Sequence, residues 1–286
     1  KDDVFMLSPR TKLIVQCIAA TAVIFGAGLR IESFYGLFGI GQLPFFVSYL
    51  VTTFTMIVVM NAFNLIDGVD GLASGFAILA SLCFGILFTI VGLYGYAVLA
   101  LFLATILLVF LVYNFEPAKI FMGDSGSLTV GFVLSILAVR FSGLNEFEAF
   151  TNLLGNTSHV YTAVFLVLPL YDTIRVFIRR VAERRSPLLP DHDHLHHIFI
   201  KAGYRHRTAM FVLCGGSFVV ILLSILASPL GAGWILALFF VFIALFLPTF
   251  GIKRMILHRL GFSIHRWMPP HQPEKKLDKG FIDIEG

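Results

Sequence analysis

The sequence predicts an all-α integral membrane protein, a polytopic helix bundle with eight transmembrane helices. Three observations predict it. Of 286 residues, 58% are hydrophobic and only 13% charged, with a mean hydropathy of +0.89, whereas a soluble domain carries roughly 25% charged residues. Apolar runs of the roughly twenty residues needed to cross a bilayer recur along the chain. Lys and Arg sort to one side of those runs: alternation places 19 of the 21 together and leaves Arg30 and Arg140 opposite. An excess of that kind marks the cytoplasmic side. The net charge of +4 is too small to signal nucleic acid.

In chain order, the apolar runs cover about 12–29, 45–63, 72–92, 94–114, 126–141, 159–178, 208–228 and 232–250. Ser8 reads as an N-cap with Pro9 at the first helical position, which starts the first helix. The other runs are too densely apolar for a polar stripe, as expected of helices surrounded by lipid and by one another. The chain holds 31 Phe against 2 Trp, which reads as lipid-facing bulk. Cys17, Cys83 and Cys214 stand singly in apolar runs, as buried small hydrophobes without disulfide or metal spacing. No internal repeat is visible. The chain opens at Lys1 within a polar stretch, so an N-terminal piece is expected to precede it. Residues 1–252 read as the transmembrane domain, 179–207 as a cytoplasmic His/Arg loop within it, and 253–286 as a cytoplasmic tail.

Alternation brings four chemically loaded segments to the cytoplasmic face. Asp2 and Asp3 precede the first helix and could be solvated, bind a cation, or act as a base. Asn61–Gly71, NAFNLIDGVDG, sets Asp67 and Asp70 among Asn61, Asn64, Gly68 and Gly71 between two apolar runs. Charges so close to hydrocarbon must be paired, wetted or bound to a cation. The two Asp would share one face if the stretch is helical. In MGDSGS, Asp124 or Ser125 is placed to cap the fifth helix, whose N-terminus would then offer free N–H groups to a phosphate. Residues 191–197 hold four His and two Asp beside a run of Arg, a group suited to anionic phosphates. Zinc is the rival, although adjacent His are awkward ligands for one tetrahedral ion. Asp172 is spaced to pair with Arg175.

Carboxylates, helix N-termini and a His/Arg loop at one membrane face outline a magnesium–phosphate site, because Mg²⁺ takes a few carboxylates plus substrate phosphates. The reading is a membrane phosphotransferase that joins a soluble phosphate donor to a lipid acceptor. An ion-coupled transporter is the rival of another class. It would place polar residues at mid-membrane, usually in inverted repeats.

Five motifs, in order, carry a family resemblance: DD…LSPRTKL, NAFNLIDGVDGLASG, FMGDSGS, PLYDTIRVFIRR and PDHDHLHH. With them the chain resembles the polyprenyl-phosphate N-acetylhexosamine-1-phosphate transferases, most closely the bacterial undecaprenyl-phosphate N-acetylglucosamine-1-phosphate branch. The resemblance implies transfer of a sugar-1-phosphate from a UDP-N-acetylhexosamine to undecaprenyl phosphate, with release of UMP and a requirement for Mg²⁺, which Mn²⁺ could replace. The peptidoglycan branch, with its phospho-MurNAc-pentapeptide donor, is the nearest alternative. The resemblance further implies about three helices before Lys1, a bacterial inner membrane, a cytoplasmic active site, and a lipid setting in which a homodimer is one open state. Residue by residue, Asp124 and Asp70 resemble Mg²⁺ ligands. Asp2 and Asp3 resemble the acidic pair at the lipid phosphate. Asn64 and Asp67 resemble positions at the nucleotide end, with Asp67 counted among the catalytic groups. His194, His196 and His197 resemble a phosphate-contacting motif. Val4 and His192 depart from the Arg residues that this branch often carries there.

Overall fold

The computed structural model describes residues 8–182, 199–200 and 203–246. Ten α-helices are described: α1 (Pro9–Gly26), α2 (Phe45–Ile66), α3 (Leu72–Ile90), α4 (Tyr94–Asn114), α5 (Gly123–Ser142), α6 (Glu148–Leu154), α7 (Ser158–Phe165), α8 (Val167–Ala182), α9 (His206–Leu226) and α10 (Ala232–Phe246). Among the described residues, the sole β-type pairing is one isolated bridge between Ser33 and Gln42. The all-α polytopic class is therefore as expected.

Among the described residues the count of eight spans is not confirmed. By length and composition α2, α3, α4, α5 and α9 can each cross a membrane, and α7 with α8 makes a sixth if the two form one span. Arg10 and Lys12 make the first turn of α1 polar, and of the eighth run only the residues up to Phe246 are described. The sixth run is one helix by composition but breaks at Leu166 into α7 and α8, bent by 80°. Pro169 explains the break. It has no N–H to give to the carbonyl of Phe165, and its ring would clash there if the helix continued.

Ser8 caps α1 as expected, accepting the N–H of Thr11 at 3.2 Å, with Pro9 at the first helical position. The fifth helix differs. It starts at Gly123, so Asp124 lies inside its first turn, and Met122 occupies the cap with no side-chain bond. An acid there still faces the positive end of the helix dipole.

The helices pack as two intimate pairs, α2 on α5 and α3 on α4. At the first crossing the backbones nearly touch: a Cβ built on Gly131 would lie 2.9 Å from Cα of Met60 and 3.1 Å from its carbonyl oxygen. At the second, a Cβ on Gly85 would lie 2.8 Å from a Leu101 methyl. Small residues are what permit such approaches, and lipid-embedded helices associate by that contact rather than by escape from water.

Phenylalanine is a core residue here as well as lipid-facing bulk. Phe46, Phe54 and Phe102 are exposed, but Phe63, Phe76, Phe84, Phe88, Phe141, Phe150 and Phe165 are fully buried. Phe141 sits among Phe84, Phe88, Phe150 and Phe165 with centroids 5.2–5.8 Å away, mostly edge-on. Such pairs contribute about 0.5–1.5 kcal/mol each beyond their burial, and here they fasten α3, α5, α6 and α7 together. The three cysteines are free and only partly buried, less enclosed than expected.

Candidate active site

The segment between α2 and α3 and the start of α5 converge, although some 60 residues separate them. The α2–α5 packing makes that meeting. Helix α2 continues to Ile66, so Asn61 and Asn64 project from its last turns and Asp67 is its C-cap. Gly71, at φ +76°, turns the chain into α3, a conformation that costs glycine little. Asp67 and Asp70 therefore lie in the turn between helices, not on one helical face, and they find different partners.

Asn64 donates from Nδ2 to Oδ1 of Asp124 at 3.1 Å and to Oγ of Ser127 at 2.7 Å. Its two amide hydrogens allow both bonds. The other carboxylate oxygen of Asp124 is held by the Lys12 ammonium from α1. Gln16, one turn further along α1, exchanges two amide bonds with Asn61 at 3.1 and 3.0 Å. Asp67 lies within electrostatic reach of Asp124 and accepts the N–H of Gly123. Burial first, and the charge of Asp124 second, push the Asp67 carboxyl up to about 7, against the pull of that N–H.

Asp70 is engaged elsewhere. Its Oδ2 accepts the N–H of Ala118 at 3.2 Å, and its Oδ1 lies 3.3 Å from Nδ1 of His206 at the start of α9. That same ring nitrogen is 3.3 Å from the N–H of Asp70. The ring nitrogen thus stands within reach of both the backbone N–H and the carboxylate of Asp70. Glu116 accepts the N–H of Arg207 at 2.7 Å, a second tie to the head of α9. Asn114 secures the loop from inside. It accepts the N–H of Gly71 and the hydroxyl of Ser74, each at 3.0 Å, and donates to the carbonyl of Ile120 at 3.0 Å.

Of the residues expected in the site, Asn64, Asp67 and Asp124 come together, with Asp70 in the adjoining loop. Asp2, Asp3, His194, His196 and His197 lie outside the described residues. Sequence reasoning missed Lys12, Ser127, His206, Glu116 and Asn114 as site residues. For Lys12 and Asn114 a signal existed, since a Lys and an Asn at the edge of an apolar run need partners. Their partners lie 112 and 43 residues away and carry no mark in the sequence.

Among the described residues, no group of three or more His, Cys, Asp or Glu side chains gathers as a metal-ligand set. Two carboxylates do converge, one of them half-buried beside a like charge. That donor set suits Mg²⁺, which needs one or two carboxylates when substrate phosphates complete its shell.

A model of the Glycosyl transferase family 4 matches residues 1–142. A probable undecaprenyl-phosphate N-acetylglucosaminyl 1-phosphate transferase of Bacillus subtilis (strain 168) is 32% identical over 255 residues, 85% of this chain and 65% of that protein. Undecaprenyl-phosphate alpha-N-acetylglucosaminyl 1-phosphate transferases of Thermotoga maritima and Yersinia pestis are 34% and 27% identical. The first alignment covers 74% of this chain and 60% of its relative, the second 88% and 69%. The chain thus spans roughly two thirds of the length of these relatives. The segment that matches the Glycosyl transferase family 4 takes in Lys12, Asn64, Asp67 and Asp124, the residues that converge at the foot of α2 and α5.

Proposed function

We propose that the protein transfers N-acetylglucosamine 1-phosphate from its UDP-activated form to undecaprenyl phosphate, releasing UMP. The observation that carries this reading is the convergence of Asp67, Asp124, Asn64 and Lys12 at the ends of two membrane-spanning helices. A site at that depth can meet a soluble nucleotide from one side and a lipid phosphate from the other. The names of the relatives support these substrates, and the clustering of Lys and Arg supports a site on the cytoplasmic face of the bacterial inner membrane.

In the reaction, an oxygen of the lipid phosphate attacks the sugar-bearing phosphorus of the UDP-sugar. A new P–O–P bond forms, the bond to the bridging oxygen breaks, and UMP leaves with that oxygen and its electron pair. Asp124 and Asp67 would hold Mg²⁺, with Asp70 as a further candidate once its bonds to Ala118 and His206 are exchanged. The cation, when bound, neutralises charge on the diphosphate. Asn64 fixes the Asp124 carboxylate through its amide N–H. Lys12 offsets carboxylate charge in the resting enzyme and is close enough to turn to a phosphate. Asp2, Asp3 and the His194–His197 motif are proposed to serve the lipid phosphate and the donor phosphates respectively.

The test is UMP release from UDP-N-acetylglucosamine by the protein in detergent, with undecaprenyl phosphate and Mg²⁺ each present or omitted. Release that needs both supports the reading. No release from any UDP-N-acetylhexosamine by a folded sample defeats it, and turnover of UDP-MurNAc-pentapeptide alone moves the protein to the peptidoglycan branch.

A further inference from the structure

At the end of α5 opposite Asp124 lies a second polar site that the transfer reaction does not use. Arg140 is 16 residues beyond Asp124 on the same helix, about 24 Å along its axis at 1.5 Å per residue. Beside it the segment from Ala27 to Tyr35, the last turn of α5 and Glu146 enclose a partly open cavity of about 240 Å³. A single water needs only roughly 10–15 Å³ of such space, so the cavity admits a polyatomic group.

Four charged side chains line it: Arg30, Glu32, Arg140 and Glu146. Arg30 pairs with Glu32 at 2.9 Å. Glu146 accepts the hydroxyl of Tyr35 at 2.9 Å through Oε1. Arg140 is held differently, with its guanidinium 5.7 Å from the ring centroid of Tyr96 and 5.3 Å from that of Phe147. Among the described residues no carboxylate is paired with it. Ring faces orient a guanidinium but leave its in-plane N–H donors available. The lining thus offers a fork of donors suited to a phosphate, together with a carboxylate that has one oxygen not bonded to Tyr35.

Two positive and two negative groups make the lining neutral. A simple anion gains little from such a wall, whereas a molecule carrying both signs can match it. The surroundings add a second feature. Phe25 and Phe45 next to Arg30 are 63% and 55% exposed, their centroids 6.2 Å apart, and Arg30 lies 5.1 Å over the Phe45 ring. A polar cavity therefore opens beside ring surface suited to hydrocarbon, on helices that face lipid.

We propose that this cavity binds the headgroup of a zwitterionic aminophospholipid, its phosphate on Arg140 and its ammonium on Glu146, with its acyl chains over Phe25 and Phe45. The site is independent of the catalytic reading and sits on the other membrane face. The experiment titrates delipidated protein in detergent with phosphatidylethanolamine or phosphatidylglycerol and counts bound lipid by native mass spectrometry. Wild type should prefer phosphatidylethanolamine. Arg140→Gln should weaken that binding about tenfold, the loss of a charge-assisted bond, and Arg140→Lys should restore part of it. Glu146→Gln, at an exposed position, should keep the fold and erase the preference between the two lipids, so it decides the matter even if Arg140→Gln fails to fold. Equal binding of both lipids by wild type, or an unchanged preference in Glu146→Gln, overturns the proposal. Binding of soluble phosphoethanolamine as tight as that of the lipid overturns the lipid assignment.

Discussion

Asp67 stands in surroundings that disfavour its charge. Its carboxyl, ordinarily near 3.8, is pushed up to about 7 by burial and by Asp124. In the folded protein the acid form is favoured, so its contribution to stability is complete below about pH 4 and is lost as pH rises through about 7. Asp67→Asn imitates the neutral acid. Its melting temperature should equal that of wild type near pH 4, exceed it increasingly up to about pH 7, and hold that gain above. Saturating Mg²⁺ should shrink the gain, because the cation takes over the same compensation; a gain indifferent to pH would remove the electrostatic cause. Asp124→Asn should lower Mg²⁺-dependent UMP release by at least about a hundredfold, the scale of losing one preorganised electrostatic group. Retained Mg²⁺-dependent turnover in that variant would defeat the metal role of Asp124. Asp67 and Asp124 were legible as chemistry because charge beside an apolar run demands a reason. Their pairing was not, since it depends on how α2 and α5 cross.

At the level of elements, the helices were legible from hydropathy and their breaks were not. Leu166 interrupts an apolar run that contains no polar residue near it, and the responsible Pro169 lies three positions on. The first helix starts where Ser8 and Pro9 say it should, since a cap is a local device. By contrast the fifth starts one residue before the expected cap, because the turn at Gly123, with φ +66°, sets its first residue. Within α8, Asp172 is 3% exposed and accepts from Arg175 at 3.0 Å. Asp172→Asn breaks a buried charge pair and should cost about 3 kcal/mol of stability, read as a lower melting temperature with turnover per folded molecule preserved. A proportionate loss of turnover instead would place Asp172 in the chemistry. Gly131→Val at the α2–α5 crossing should cost about 1–3 kcal/mol through overpacking. It should also reduce activity in the surviving folded fraction, because the same crossing sets Asn64 against Asp124. Full specific activity would show that the site tolerates helix displacement.

For the whole molecule, one long helix joins two polar regions that differ in kind. The end of α5 at Asp124 meets α1, α2 and the α2–α3 turn, and the end at Arg140 meets the segment after α1 and the start of α4. The distribution of Lys and Arg implies that these ends face opposite compartments. Single cysteines at Glu116 and at Glu146, in a background free of native Cys, should therefore label from opposite sides of sealed vesicles with an impermeant thiol reagent. Labelling from one side would invalidate the topology and the membrane face assigned to the site. Composition disclosed the membrane class at once, because it sums over the whole chain. It could not disclose that seven Phe among the described residues are fully buried, since phenylalanine is equally at home against lipid and against another ring.

The close approach at Gly131 bears on how such sequences can drift. The obstructing atoms are Cα and the carbonyl oxygen of Met60, which every amino acid possesses, with the Cβ of Phe63 at 3.2 Å. No replacement at position 60 can make room, so the constraint runs in one direction. Among aligned relatives that keep this crossing, positions 60 and 63 can vary among buried apolar side chains while 131 stays glycine. Covariation among the three would be absent, although they touch.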